Sequence, residues 1–316
     1  MTHGLIFADL EGIINAFDLE KEISKDLYTN EVQICIDALI KCGIDKITVC
    51  DAHSSGDMIK PTILSGNVNL ISQVRNISFE EKYDFAIFIG FHGMENSEGF
   101  FPHTFRFDFK EVAINNMYDR PVPIGEVEIY SRWLGFHGVP VILIIGDREA
   151  TYEANCFNIY RNVCCVKSFF QEKQVDVRLL YEKIESSIHQ ALKLDSKSCL
   201  SHDSDSVSVE FYHNDVVKEL GDYEKRNNKI IFKNCADLVN HLYPLVDELN
   251  EFNSRNFDKN RLFLKEARLL AKALNKEEFM DSEASELLGS KNLSTLDEKS
   301  RVAILTTLRQ MSQKVN

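Results

Sequence analysis

The sequence has no long hydrophobic run: no apolar segment among its 316 residues approaches the roughly 20 residues that a membrane-spanning helix needs. Its N-terminus also lacks the basic stretch and apolar core of a secretory signal peptide, because the first residues lead directly into a strand pattern. These absences argue against a membrane partner. They predict a cytoplasmic protein.

Positive charge is also scarce. The chain carries 49 acidic and 36 basic side chains, a formal net charge of −13, and its Lys and Arg residues form no stripe. Proteins that bind phosphate backbones need clustered basic side chains. We therefore expect no nucleic-acid partner, and we attribute most of the acidic excess to a solvated surface.

Several familiar motifs are missing as well. There is no G-x-G-x-x-G after a strand pattern, no P-loop and no G-x-S-x-G, so a nucleotide-dependent enzyme and a serine hydrolase both lack support. The eight cysteines include no C-x-x-C pair. Reduced, mostly buried thiols are the expected state, with disulfides or a thiolate zinc site as the less favoured alternative.

Hydrophobic residues, at 44% of the chain, suffice for a substantial core. Short Val, Ile and Phe runs alternate with helical patterns, which is typical of strands covered on both faces. The predicted fold class is α/β, with a largely parallel central sheet flanked by helices. The strand runs are GLIFAD (4–9), KITVCD (46–51), DFAIFIGF (84–91) and VPVILIIGD (139–147), and a helix with Thr29 or Asn30 as N-cap and Gly43 as its stop joins the first two.

The chain divides into three predicted parts. Residues 1–194 form the main α/β domain, in which the alternating segment FRFDFKEVAIN (105–115) indicates a half-exposed or antiparallel strand. Residues 195–250 form a smaller α/β part that begins with a polar, serine-rich loop. Residues 251–316 have helical spacing and no strand candidates, which predicts a helical C-terminal extension that packs on its own domain or contacts another subunit or partner.

Acidic and histidine residues follow three of the predicted strands. They are Asp9 and Glu11 after the first strand, His53 after the second and His92 after the third. The carboxyl ends of parallel strands share the edge of the sheet at which ligands bind. Asp9 and Glu11 also face the same side of their strand, so they repel each other unless a cation lies between them. Carboxylate and imidazole groups are ligands that suit zinc or a similar divalent ion.

Two further residues belong with this set. Glu126 falls in the first turn of a predicted helix, where either dipole stabilisation or metal binding explains a carboxylate. With Glu126 included, the ligands suffice to bridge two metal ions, and His103 is left for acid, base or nucleophile work. Asp51 and Asp147 also end strands, and a turn or N-cap role is favoured for both.

At these residues the sequence resembles the DppA-type D-aminopeptidases, a family of zinc metallopeptidases. Six pieces match in family order, and weaker similarity continues to about residue 247. The pieces are ADLEGI (8–13), CDAHS (50–54), IGFHG (89–93), PHTF (102–105), DRPVPIGE (119–126) and VPVILIIGD (139–147).

The resemblance implies a site with two zinc ions per subunit. Asp9 would bridge the two ions, with Glu11 and His53 completing one and His92 and Glu126 the other. The family's catalytic histidine falls on His103. Family members are rings of two stacked pentamers, which implies a homo-oligomer and makes a homodecamer plausible here.

The expected function is removal of N-terminal D-residues from small peptides by a di-zinc aminopeptidase whose catalytic domain is residues 1–194. Two alternatives stay open: a hydrolase acting on another amide, such as a natural-product tailoring enzyme, and a non-catalytic, metal-stabilised assembly protein. Three features depart from the family pattern. The segment between His53 and the third predicted strand is comparatively short. Pro123 and Ile124 are extra residues that predict a shift of the helix carrying Glu126, and the helical tail has no counterpart.

Overall fold

The computed structural model describes residues 2–15, 22–99, 101–106, 109–115, 120–168, 176–211 and 214–255. The chain divides into two compact units, Met1–Leu245 and Val246–Asn316. Both sheets and the site described below lie in the first unit, and the last described helix, Cys235–Arg255, crosses the boundary. The helical extension predicted for 251–316 falls almost entirely outside the described residues, which end at Arg255.

The described part of the chain contains seventeen helices and strands, apart from short 3₁₀ turns. The strands are β1 His3–Ala8, β2 Lys46–Asp51, β3 Val68–Ser72, β4 Phe85–Phe91, β5 Phe109–Ile114, β6 Val122–Pro123, β7 Val141–Asp147, β8 Asn162–Lys167, β9 Val207–Phe211, β10 Glu224–Arg226 and β11 Lys229–Phe232. The helices are α1 Glu22–Lys41, α2 Glu126–Phe136, α3 Arg148–Phe157, α4 Val177–Ala191, α5 Asn214–Glu219 and α6 Cys235–Arg255.

Six parallel strands form the central sheet in the order β3-β2-β1-β4-β7-β8. This confirms the predicted α/β class. Strands β1, β4 and β7 are buried along their whole length, as their unbroken apolar runs indicate. The half-exposed edge strand β3 was not predicted, because its sequence VNLIS mixes polar and apolar residues.

Helices cover both faces of this sheet. On one face, Ile6 and Ala8 of β1 join a core that includes Ile36 of α1 and Ile184 of α4. On the other face, Phe7 packs against aromatic residues of α2, with ring centroids 4.8 Å from Tyr130 and 6.3 Å from Trp133. The alternation along β1 follows from the period of two in a strand.

A second, antiparallel sheet has the order β10-β11-β9-β5-β6. It confirms an antiparallel strand within residues 105–115, at Phe109–Ile114. Strand β9 lies beyond residue 195 but pairs directly with β5. The extra residues Pro123 and Ile124 take part in this sheet. Pro123 ends β6, and the amide of Ile124 donates a hydrogen bond to Val112 O of β5 at 2.8 Å.

The predicted start of the first helix was wrong. Helix α1 begins at Glu22, and Thr29 lies inside it rather than capping it. The hydroxyl of Thr29 donates a hydrogen bond to Lys25 O at 2.8 Å, one turn back. The side chain therefore finds its hydrogen-bond partner inside the helix and does not need to cap the helix end. The predicted stop is confirmed, since Gly43 adopts a left-handed φ of 81° just after the helix.

Candidate metal centre

The turn after β1 is fixed by close approach of the backbone to β4. The amide of Asp9 donates to Ile89 O at 2.8 Å and that of Gly12 to Gly90 O at 2.7 Å. Gly90 has a φ of 75°, and a Cβ atom there would lie 1.9 Å from Asp9 O. Only glycine fits at this crossing. The turn therefore holds Asp9 and Glu11 at the carboxyl end of the sheet.

The structure brings all six predicted site residues together. Asp9 and Glu11 follow β1, His53 follows β2, His92 follows β4, Glu126 is the first residue of α2, and His103 lies between β4 and β5. They form three overlapping groups in which the potential ligand atoms lie within 4.8 Å of one another. The groups are Asp9-Glu11-His53, Asp9-His92-Glu126 and Glu11-His92-His103.

Asp9 belongs to two of these groups and presents a different oxygen to each. Its Oδ1 lies 3.2 Å from His53 Nδ1, which is also 2.9 Å from Glu11 Oε2. Its Oδ2 lies 3.4 Å from His92 Nε2, which is 3.6 Å from Glu126 Oε1. The Asp9 carboxylate therefore joins two sets of ligands.

His103 lies beside both groups. Its Nε2 is 4.0 Å from Glu11 Oε1 and 3.9 Å from Glu126 Oε1, longer than the distances within the two groups that share Asp9. Its ring stacks on His92 with centroids 4.2 Å apart and an interplanar angle of 2°. The imidazole thus faces the carboxylates from a separate loop.

Backbone carbonyls orient two of the histidines. His92 Nδ1 lies 2.9 Å from Gly93 O, and His103 Nδ1 lies 2.9 Å from Phe101 O. A carbonyl oxygen can only accept a hydrogen bond, so Nδ1 carries the hydrogen in each ring. In the neutral form of each ring, Nε2 is then a lone-pair donor directed at the cluster. Metal-bound histidines are oriented by such contacts at their other ring nitrogen.

The carboxylate of Glu126 is held by a strained residue. Its Oε1 accepts a hydrogen bond from the amide of Phe105 at 2.8 Å. Phe105 has a φ of 60°, a left-handed conformation that is unfavourable for a bulky side chain. The surrounding structure therefore stabilises this backbone shape, which aims an amide at Glu126.

Burial disfavours the charged form of the carboxylates in the site. Desolvation first, and then the nearby charge of Glu11, raise the pKa of Asp9 to about 7. Burial alone would lower the pKa of His53, but Glu11 and Asp9 overcome that effect and raise it to about 11. In the absence of a metal, protons must supply the positive charge that this site requires.

The donor set fits a pair of zinc ions. Two ligand atoms held at about 2.0–2.1 Å by one tetrahedral zinc lie about 3.4 Å apart. The distances of 3.2 Å from Asp9 to His53 and of 3.4 Å and 3.6 Å from His92 to Asp9 and Glu126 are close to that value. Buried carboxylates and imidazoles are also the ligand types that zinc takes. The residues therefore suit the metal in both chemistry and spacing.

Asp51 and Asp147 have structural roles, as favoured from the sequence. Asp51 accepts hydrogen bonds from the Tyr28 hydroxyl at 2.9 Å and the Met58 amide at 2.8 Å, which fixes the loop carrying His53. Asp147 is the N-cap of α3, and its other oxygen accepts from the Gly93 amide at 3.2 Å. Both position neighbours of the predicted ligands.

The sequence interpretation missed two buried charged residues that support the site. Glu153 of α3 accepts hydrogen bonds from the amides of Gly125 and Glu128 at 2.7 and 3.1 Å, and so caps the helix that starts with Glu126. Lys167 of β8 donates to the backbone carbonyl of Glu11 at 2.7 Å. Lys167 could have been found from the sequence, because it is a charged residue at the end of the apolar run VCCV (163–166). Nothing in the sequence singled out Glu153.

The fold and the cluster together define the class of the protein: an α/β enzyme whose site has the donor set of a metal-dependent hydrolase. The family model of Peptidase M55, D-aminopeptidase, matches residues 5–220, which is more than half of the chain. The chain therefore belongs to the D-aminopeptidase family.

Two comparisons with individual proteins agree with this assignment. The chain is 25% identical over 225 residues to a D-aminopeptidase of Bacillus subtilis (strain 168), covering 64% of this chain and 79% of that protein. It also shares its fold, with a TM-score of 0.68 and 20% identity, with the Zn-dependent D-aminopeptidase DppA from Bacillus subtilis, a self-compartmentalizing protease. That match covers 77% of this chain and 97% of the other.

Proposed function

We propose that the protein is a di-zinc aminopeptidase that releases N-terminal D-amino acids from short peptides. The observation that carries the proposal is the Asp9 carboxylate, which directs one oxygen to each of two ligand groups. Family membership supports the peptidase activity and the D-stereochemistry. Glu11 and His53 would hold one ion, and His92 and Glu126 the other, with Asp9 shared.

A bound zinc pair would supply Lewis acidity toward the scissile carbonyl and an acidified water. The chain itself supplies a proton carrier. Burial, and then the neighbouring His92, lower the pKa of His103 below its usual value, so its imidazole is neutral at pH 7. Nδ1–H donates to Phe101 O, which leaves the Nε2 lone pair facing the cluster. His103 therefore accepts a proton at Nε2, or attacks as a nucleophile, and its loop positions it for either role.

Bound metal ions would neutralise the buried carboxylates of the site. Asp9, Glu11 and Glu126 are each less than one-tenth exposed, and carboxylates at this depth need cationic partners. Two divalent ions would replace the protons that the metal-free site takes up. Metal binding is therefore expected to release protons and to strengthen as the pH rises.

A paired metal and activity assay tests the proposal. Purified protein should retain two zinc ions per chain and should cleave D-Ala-D-Ala while leaving L-Ala-L-Ala largely intact. Cleavage of a different amide by the zinc-loaded protein, with no D-peptidase activity, would favour the tailoring alternative. A fully metallated protein that hydrolyses no peptide would contradict the enzymatic assignment.

We also propose that the protein is a cytoplasmic homo-oligomer, with a decamer as the expected state. The structural relative is described as self-compartmentalizing, and three large side chains of this chain, Tyr152, Ile159 and Tyr160, are 62–76% exposed near α3. Within the described part of the chain, no helix combines the length and apolarity required to traverse a bilayer. Light scattering after size-exclusion chromatography would give the number of subunits.

A further inference from the structure

A buried lysine lies directly behind the turn that carries Glu11. Lys167 ends β8 and is only 2% exposed, and its Nζ donates to Glu11 O at 2.7 Å. Removing an ammonium group from water costs several kcal/mol unless specific partners replace the lost hydration. The groups that contact the Lys167 ammonium therefore indicate its role.

The same ammonium group has a second contact, in the segment that carries His103. Its Nζ lies 5.4 Å from the centre of the Phe101 ring, within range of a cation–π interaction. The carbonyl of Phe101 is the group that accepts the Nδ1–H of His103, at 2.9 Å. One cation thus contacts both the turn with a candidate metal ligand and the loop with the candidate catalytic histidine.

The chain just beyond Glu11 is also held by a buried carboxylate. Glu31 of α1 is buried, and its Oε2 accepts a hydrogen bond from the amide of Ile14 at 3.0 Å. The segment from Glu11 to Ile14 is therefore held at both ends, by Lys167 at Glu11 and by Glu31 at Ile14. The Lys167 bond to Glu11 O adds to the contacts of the Asp9 and Gly12 amides with β4, at the residue whose carboxylate faces His53.

We propose that Lys167 is a positioning residue for the metal-dependent reaction: its ammonium group holds the Glu11 backbone and the Phe101 ring, and so sets the Glu11 carboxylate and the His103 imidazole relative to each other. The role in the reaction rests on the function proposed above. The contacts themselves do not depend on a metal, and they can be tested without one.

The chain offers a matched control. Lys183 of α4 donates to the backbone carbonyl of Cys165 at 2.8 Å, also on β8, but its side chain is exposed. Lys183→Met removes the same kind of hydrogen bond from the same strand away from the site. Lys167→Met should differ from it in the behaviour of residues 9–14.

The first measurement is amide hydrogen exchange in the metal-free protein. Exchange across 9–14 should be about 10-fold faster or more in Lys167→Met than in wild type, and unchanged in Lys183→Met. A purely structural lysine would instead accelerate exchange throughout the sheet. If Lys167→Met does not fold, as judged by circular dichroism, Lys167→Gln keeps a donor without the charge and takes its place.

The second measurement is zinc affinity together with steady-state kinetics. Lys167→Met should lose about 10- to 100-fold in affinity for the ion held by Glu11, and kcat should fall with little change in KM. Lys167→Arg, which keeps charge and donors, should recover part of both. Local exchange and zinc affinity that match the Lys183→Met control would overturn the proposal. Wild-type protein that binds no zinc would instead contradict the proposed function, while the exchange comparison would still decide the role of Lys167.

Discussion

Replacing His103 by alanine separates metal binding from catalysis. His103 Nε2 lies 3.9–4.0 Å from the nearest carboxylate oxygens, whereas atoms paired across the two ligand groups that share Asp9 lie 2.9–3.6 Å apart. Two ligands of one tetrahedral zinc lie about 3.4 Å apart. His103 therefore stands just outside ligand distance, and His103→Ala should keep both metal ions.

The expected loss is in turnover. Removing a positioned acid or base costs about 100- to 10,000-fold in kcat. This corresponds to about 3–5 kcal/mol of transition-state stabilisation. His92 loses its stacking partner in the variant, but its Nδ1–H still donates to Gly93 O, so its Nε2 keeps its direction. We therefore expect the zinc affinity to change by less than about 3-fold, well below the 10- to 100-fold typical of a lost supporting contact.

The assay combines zinc analysis of dialysed protein with initial rates on D-Ala-D-Ala. His189→Ala is a suitable control, because His189 is an exposed histidine on α4 whose ring contacts Cys42. It should retain wild-type zinc content and kcat. Full activity of His103→Ala would remove this residue from the mechanism. Loss of one zinc ion would instead make it a ligand, in the group with Glu11 and His92.

Three further substitutions test the site and its support. Asp9→Asn should lose both zinc ions and activity together, because one carboxylate serves both ligand groups; retention of two ions per chain would contradict the bridging role. Gly125→Ala should weaken zinc binding through Glu126, since the added Cβ would lie 2.5 Å from Glu153 Oε2 at the start of α2; metal titration checks it. Glu31→Gln should stabilise the metal-free protein by up to about 5 kcal/mol at pH 9 and leave its stability at pH 4 nearly unchanged. Burial raises the pKa of Glu31 from 4.5 to about 8, so the folded state binds the extra proton and stability falls as the pH rises through that window; urea titrations at both pH values measure it.

The long buried strands of the central sheet could be predicted because their apolar runs are unbroken. The short strands β3, β6 and β10 could not, since β10 is fully exposed and β6 contains only Val122 and Pro123. Their extended conformation comes from pairing with a neighbour rather than from their own residues. The start of α1 was missed for a related reason: the burial of Thr29 depends on what packs against the helix.

The sequence by itself determined which residues gather at the site. Strands that are apolar on both faces must lie side by side in a parallel sheet, so the residues that follow β1, β2 and β4 must meet at one edge. Asp9, Glu11, His53 and His92 are brought together by that rule alone.

Tertiary structure decided how these residues are held. The division of the Asp9 oxygens between two groups, the amide of strained Phe105 aimed at Glu126, and the ammonium of Lys167 behind Glu11 all join residues far apart in the chain. Such contacts depend on ångström-scale packing between elements, and no local pattern in the sequence encodes it. The order of residues thus brings four of the six side chains to one edge of the sheet, and packing fixes their geometry.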